Sequence, residues 1–291
     1  TTSALLIGTD KGMAMLYGDT GSDFNLIWLS RDIGMRAGSP QVMSNPLFVN
    51  DYGVTSLAAS QDFGNFSPAT ISESVQKFIQ SRVRRVTCSL LVRSKNQYRV
   101  FFDDGTGLYF TFRGSKLAGI TPVRFDRVVR RTWTTLDYEG KELILFFSDD
   151  TRVYKMNTGK NMDGAAFDAY AFMSFNHLKS PRLRKTYKRL ILEIEAERGY
   201  VAFQAGADVN DGGPDTLQSV EQTVENQQGG LWDEFTWDDF TWDTDSRSPS
   251  VVPVDGTGRN VALWVRSNDA TVEPFNIPGV MTEYIPRRME R

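Results

Sequence analysis

Two adjacent carboxylate pairs, Asp103/Asp104 and Asp149/Asp150, are the first residues in this 291-residue chain whose type and spacing fit catalysis. Paired acids are the machinery of glycoside hydrolysis, one protonating the leaving oxygen and the other acting as base or nucleophile. Both pairs sit where alternating apolar segments reverse direction. There Asp is wanted for turn chemistry alone, because its side chain accepts hydrogen bonds from its own backbone. The second candidate is residues 231–243, LWDEFTWDDFTWD. Trp232, Trp237 and Trp242 recur every five residues, each followed by an acid: Asp233, Asp238 and Asp243. Aromatic rings beside carboxylates bind sugars, and clustered carboxylates bind calcium. Tryptophans also plug cores while their acids stay solvated, and three of them exposed would form an apolar patch suited to a protein partner.

Other chemistry has no foothold. Cys88 is the single cysteine and His177 the single histidine, so the chain assembles neither an internal disulfide nor a Cys/His zinc site. Cys88 lies in the apolar run 86–92 and reads as a buried core thiol; His177, in SFNHLKSP, reads as a loop or strand-end residue. There is no G-x-S-x-G elbow, phosphate loop or H-E-x-x-H pair. The expectation is a non-enzyme with no catalytic residue, metal or cofactor. Hydrophobic residues make up 40% and charged residues 24%, which suits a soluble globular protein. The longest apolar runs are strand-sized, so no signal peptide, membrane span or direct membrane binding is expected. The chain begins directly on a strand pattern, an expectation being that a domain or partial blade precedes Thr1 in a longer parent.

The elements that must position these residues are hairpins. In residues 97–112, QYRVFFDDGTGLYFTF, apolar residues alternate on both sides of an Asp-Gly turn, the strongest short-range hairpin signal. The design recurs around Asp10 and Gly12, around Asp51 and Gly53, and around Asp149 and Asp150. Asp10, Asp51, Asp104 and Asp150 are separated by 41, 53 and 46 residues, the length of a four-stranded propeller blade. Residues 71–85 have helical apolar spacing. The fold class expected is all-β: β-propeller-like repeats of four-stranded blades over residues 1–164, then a β-sandwich-like domain over 165–291. In the second part, 185–195 reads as a long strand that pairs with 200–204 across Glu197-Arg198-Gly199. A polar, acidic, Trp-rich insertion spans 207–246, and Pro274 and Pro278 mark edge strands.

Charge is unevenly distributed. Lys179, Arg182, Arg184, Lys185, Lys188 and Arg189 follow one another with no acid between them, whereas residues 199–246 contain acids and no Lys or Arg. A basic run of this kind is a solvated strand face, a partner for the acidic segment, or a phosphate contact.

The runs RSKNQYRVFFDDGTGLYFTF, GKELILFFSDDTRVYKMNTGKNMDGAAFDAY and FNHLKSPRLRKTYKRLILEIE together resemble the nozzle or hub proteins of tailed bacteriophages, the tail tubular protein B class of short-tailed phages. The resemblance covers about residues 94–195, and the chain is much shorter than the full-length proteins of that class. It implies a structural virion component: a homo-oligomeric ring that joins the head–tail adaptor to distal tail parts and lets DNA pass on ejection. Its partners would be other tail and adaptor proteins, with passing contact to genomic DNA in the lumen, and it would be assembled in the host cytoplasm. On that reading Arg82, Arg84, Arg85, Arg127, Arg130, Arg131 and the 179–189 basic run are candidate subunit contacts. The tryptophans and acids of 231–243 are candidate contacts with neighbouring proteins. The alternative is a carbohydrate-binding or carbohydrate-cleaving propeller that serves as a receptor-binding protein.

Overall fold

The computed structural model describes residues 4–57, 70–196, 200–209, 222–227 and 247–289. The chain is all-β, built of small antiparallel sheets, and divides into two compact units, residues 1–158 and 159–291. The first unit holds four sheets in chain order. They are β1 (Ala4–Gly8), β2 (Met13–Tyr17) and β3 (Asn25–Ser30); then β4 (Gln41–Val42), β5 (Pro46–Asn50) and β6 (Gly53–Ser56); then β7 (Val86–Val92), β8 (Gln97–Phe102), β9 (Thr106–Arg113) and β10 (Lys116–Arg124); then β11 (Arg131–Leu136), β12 (Glu142–Phe147) and β13 (Val153–Lys155). Among the described residues, only the third sheet has the four strands that the spacing predicts.

Residues 71–85 are much less helical than their spacing suggests. They form a 3₁₀ turn, Glu73–Val75, and one short helix, α1 (Gln76–Gln80), neither with a side-chain cap. The Arg82 guanidinium donates to the Phe78 carbonyl (2.9 Å), satisfying that acceptor where the helix stops.

Consecutive sheets share cores. Met13 and Met35 pack with Phe48 between the first and second sheets. Val49 and Val54 pack with Ile79, Tyr98, Val100 and Phe102 between the second and third. Cys88, Leu90 and Phe101 pack with Ile144 and Phe146 between the third and fourth. The period-2 geometry of a strand sends alternate β8 residues into two different cores, which is why the strand is buried on both faces. No buried cluster joins the first sheet to the fourth among the described residues.

The second unit contains β14 (Ala169–Phe172), β15 (Leu183–Ala196), β16 (Tyr200–Val209), β17 (Gln222–Gln227), β18 (Arg247–Gly258), β19 (Val261–Ser267) and β20 (Phe275–Met289). They form two sheets, ordered β14-β19-β16-β17 and β18-β15-β20. This corrects the expected hairpin: β15 pairs with β18 and β20, and β16 pairs with β17 and β19. Both strands alternate apolar residues. Leu190, Leu192 and Ile194 face Val201, Phe203 and Ala205 across one core, so the two strands cover each other through their faces rather than their edges. The polar insertion also starts later than expected. Ala207 and Val209 belong to β16 and are buried, and residues 222–227 form a strand. Pro278 does lie in an edge strand, at a register irregularity between the pairs Glu193↔Gly279 and Glu195↔Asn276, where no ladder amide is needed.

Leu192 is fully buried in the shared core, so Leu192→Ala lowers the unfolding free energy by about 2–5 kcal/mol. Ile285→Ala, on a half-exposed side chain, changes it by less than about 1 kcal/mol. Urea titrations of the two variants check the difference.

Candidate interaction surface

The hairpin turns of the first unit carry the acids that the sequence singles out, and each is met by an arginine. In the β5–β6 turn, Asn50 accepts the amides of Tyr52 and Gly53 (2.9 and 3.1 Å), leaving Asp51 projecting. Gly53, at φ +130°, occupies backbone space that a side chain would strain. Arg36 lies in the loop between the first two sheets and pairs with Asp51 ahead of it and Asp10 behind it, the latter at 3.4 Å. Its backbone is fixed by its own amide bond to the Val49 carbonyl (2.8 Å) and by that of Met35 to Thr9 (2.8 Å). Gly34 allows this approach, because a Cβ there would lie 1.9 Å from the Thr9 carbonyl oxygen.

The next loop repeats the device. Arg85 meets Asp103 (2.6 Å), Arg82 meets Asp104 (2.8 Å), and Arg84 reaches back towards Asp51 (3.7 Å). The loop into the fourth sheet does so again. Arg130 binds Asp149 through two nitrogens (2.6 and 2.9 Å), and Arg127 pairs with Asp126 and Asp150 and lies 4.2 Å over the Tyr154 ring. Arginine suits this role because its planar fork matches a carboxylate.

These contacts lower the pKa of Asp104, Asp149 and Asp150. Burial raises the Asp104 pKa, but donation from the Thr106 hydroxyl and amide and from Arg82 outweighs it, and the net shift is downward. Asp149 is lowered by Arg130, and Asp150 by the Tyr154 hydroxyl and by Arg127. A glycosidase acid needs the opposite shift, upward. Asp104, Asp149 and Asp150 are therefore set up as fixed anions that accept hydrogen bonds.

A shallow cleft of about 460 Å³ opens beside this rim, lined by Arg84, Arg85, Val86, Thr87, Asp103, Arg130 and Arg131. Arg85 and Arg130 are engaged by acids, and Arg131 donates to the backbone carbonyls of Thr87 and Arg130. Arg84 is the most solvent-exposed of the paired arginines, at 79%.

In the second unit the basic run splits. Lys179, Arg182, Arg184 and Lys188 are exposed, and Arg189 forms a two-point pair with Glu283 (2.6 and 3.0 Å). Lys185 departs from its expected place on a subunit contact. It is fully buried, and its ammonium donates to the carbonyls of His177, Ser180, Leu183 and Arg259 at 2.8–3.2 Å. A buried ammonium survives only with such partners, so Lys185 organises the chain reversal at 177–183 and is withheld from any neighbour. Trp232, Asp233, Trp237, Asp238, Trp242 and Asp243 lie outside the described residues.

Sequence reasoning missed Arg36 altogether, along with Arg99 and Glu142. Arg99 is buried to 1% exposure, held by Gln97 (2.7 Å) and Asn157 (3.3 Å) and stacked 4.0 Å from the Tyr109 ring. Glu142 accepts the amides of Arg93 and Ser94 (3.0 and 2.9 Å), tying the β7–β8 turn to the fourth sheet. A usable signal existed for part of the rim: Arg36, Arg82, Arg127 and Arg130 each lie 15 to 23 residues before a turn acid that they bind.

Compared with protein-family models and with curated proteins, the chain matches none. Among the described residues, no group of three or more His, Cys, Asp or Glu is arranged to hold a metal ion, and no helix is long and apolar enough to cross a membrane.

The sign of the pH dependence follows from the depressed carboxyls. Their contribution is present above the ordinary carboxylate pKa near 4 and is lost as pH falls through the lower, folded-state values. Unfolding free energy measured between pH 6 and pH 2 falls, and Asp104→Asn removes part of that fall while costing about 1 kcal/mol at neutral pH. Lys185→Met, which strands its carbonyl partners, costs about 3 kcal/mol by denaturant titration.

Proposed function

We propose that this chain is a structural, non-enzymatic component of a bacteriophage tail, part of a ring-shaped hub or nozzle between the head–tail adaptor and distal tail parts. On this reading the four sheets of the first unit are propeller-like blades, the second unit is a sandwich-like domain, and genomic DNA passes through the ring on ejection. The observation that carries the reading is the serial construction. Small sheets follow one another in chain order, share a core with the next, and are linked by arginines that clamp the hairpin turns. A scaffold of this kind spends its ionisable side chains on shape. The turn acids that a sugar-cleaving reading would use are instead bound by arginine. The sequence resemblance over residues 94–195 supplies the assignment to a tail.

Native mass spectrometry of the purified chain tests this, alone and co-expressed with the products of the genes adjacent to its own. The expected result is a closed homo-oligomer or a complex of fixed stoichiometry. A chain that stays monomeric in every mixture and instead binds a glycan array overturns the proposal in favour of the receptor-binding reading.

A further inference from the structure

The two ends of the sheet series are unfinished. In the first sheet, the pairs Leu5↔Leu16 and Leu16↔Leu26, with Ile7↔Ala14 and Ala14↔Trp28, put these six residues on one face. The opposite face carries Leu6 and Met15 into the core with the second sheet. The six strand residues of the outward face are all apolar, with the Arg31 guanidinium 5.8 Å from the Trp28 ring at its margin, and Leu5, Leu26 and Trp28 are 60, 48 and 48% exposed. At the other end, Ile144, Phe146 and Tyr154 of the fourth sheet face the third. Its outward face carries Trp133, Leu143, Leu145, Phe147 and Val153, with Trp133 44% and Val153 50% exposed, and Arg131 and Lys155 at its margins. The Trp133 and Phe147 rings pack together at 5.3 Å.

A stack of repeating sheets normally ends in a polar face, because an apolar one stays exposed to water. Here the centre of each end face is apolar, with charge only at the margins, and every other interface in the series is one sheet laid on another. We infer that the outward face of β1–β3 in one copy packs on the outward face of β11–β13 in a second copy, head to tail. A head-to-tail contact covers both faces with one kind of interface, whereas a symmetric pairing of like faces leaves the other face exposed. The flanking charges agree in part, Arg31 and Arg131 being the like-signed exception. Lys155 is exposed on the outward face of the fourth sheet, and Asp19 and Asp23 are exposed in the β2–β3 turn. Such contacts generate a ring if the rotation closes and a filament if it does not. The inference rests on the proposed ring only in requiring that copies associate, and it names the surfaces by which they do so.

Two charge substitutions test it. Leu26→Asp spoils one face and Trp133→Asp the other, each on a partly exposed side chain, with folding checked by circular dichroism. Light scattering should find the wild type assembled, with the assembly surviving about 1 M salt because the contact is apolar. Each variant alone should be monomeric. An equimolar mixture of the two should form dimers and nothing larger, since only one productive interface remains. Leu26→Asp protein that keeps the wild-type mass overturns the inference while leaving a ring of other geometry standing; a wild type that is monomeric when alone overturns it too. A mixture that stays monomeric also overturns it. If either variant fails to fold, hydroxyl-radical footprinting of the wild type decides. Oxidation of Trp28 and Trp133 should drop between dilute and concentrated samples, and equal oxidation in both overturns the proposal.

Discussion

A short antiparallel sheet with apolar side chains on both faces cannot stand alone in water, and the first unit is organised by that constraint. β8 shows it most clearly. Tyr98, Val100 and Phe102 turn to the second sheet, while Phe101 turns to the fourth. Burying each such side chain is worth about 1.5–3 kcal/mol, whereas an exposed ion pair contributes at most about 1 kcal/mol. The cores therefore hold the sheets together, and the arginine–aspartate pairs set how the turns line up. Arg36, Arg85 and Arg130 act as locators: each leaves a loop and captures the turn of the sheet that follows.

The second unit meets the same constraint with longer strands. β15 and β20 run 14 and 15 residues, and two sheets enclose one core from opposite sides. The cost appears at Lys185, which is drawn inside and must be satisfied by backbone carbonyls. Its neighbours Lys188 and Arg189 remain outside, so adjacent cations in the sequence have separate roles.

Fixing Asp104, Asp149 and Asp150 as anions has a consequence for how these turns are read. Asp104, Asp149 and Asp150 hold the hairpins in shape and are poor proton donors near neutrality. A scaffold reading asks nothing further of them, while a hydrolytic reading asks for a proton they do not keep. The rim and the faces between sheets are thus complementary: charge sets geometry along the edge, and apolar side chains fill the cores between sheets.

The four hairpins, the all-β class and the turn role of the paired aspartates were determined by the sequence, because alternation and Asp-Gly turn chemistry act over a few residues. Tertiary structure decided which faces meet. β15 and β16 carry the alternation of a hairpin, yet the same alternation serves two strands stacked across a core, and no local signal separates the two. Likewise a run of arginines states charge but not partner. That Arg36, Arg82, Arg85 and Arg130 clamp turns of their own unit depends on loops that carry each guanidinium 15 to 22 residues along the chain to its acid. Burial of Arg99 and Lys185 was equally hidden, because a strand pattern marks which side a residue faces but not whether another sheet will cover it.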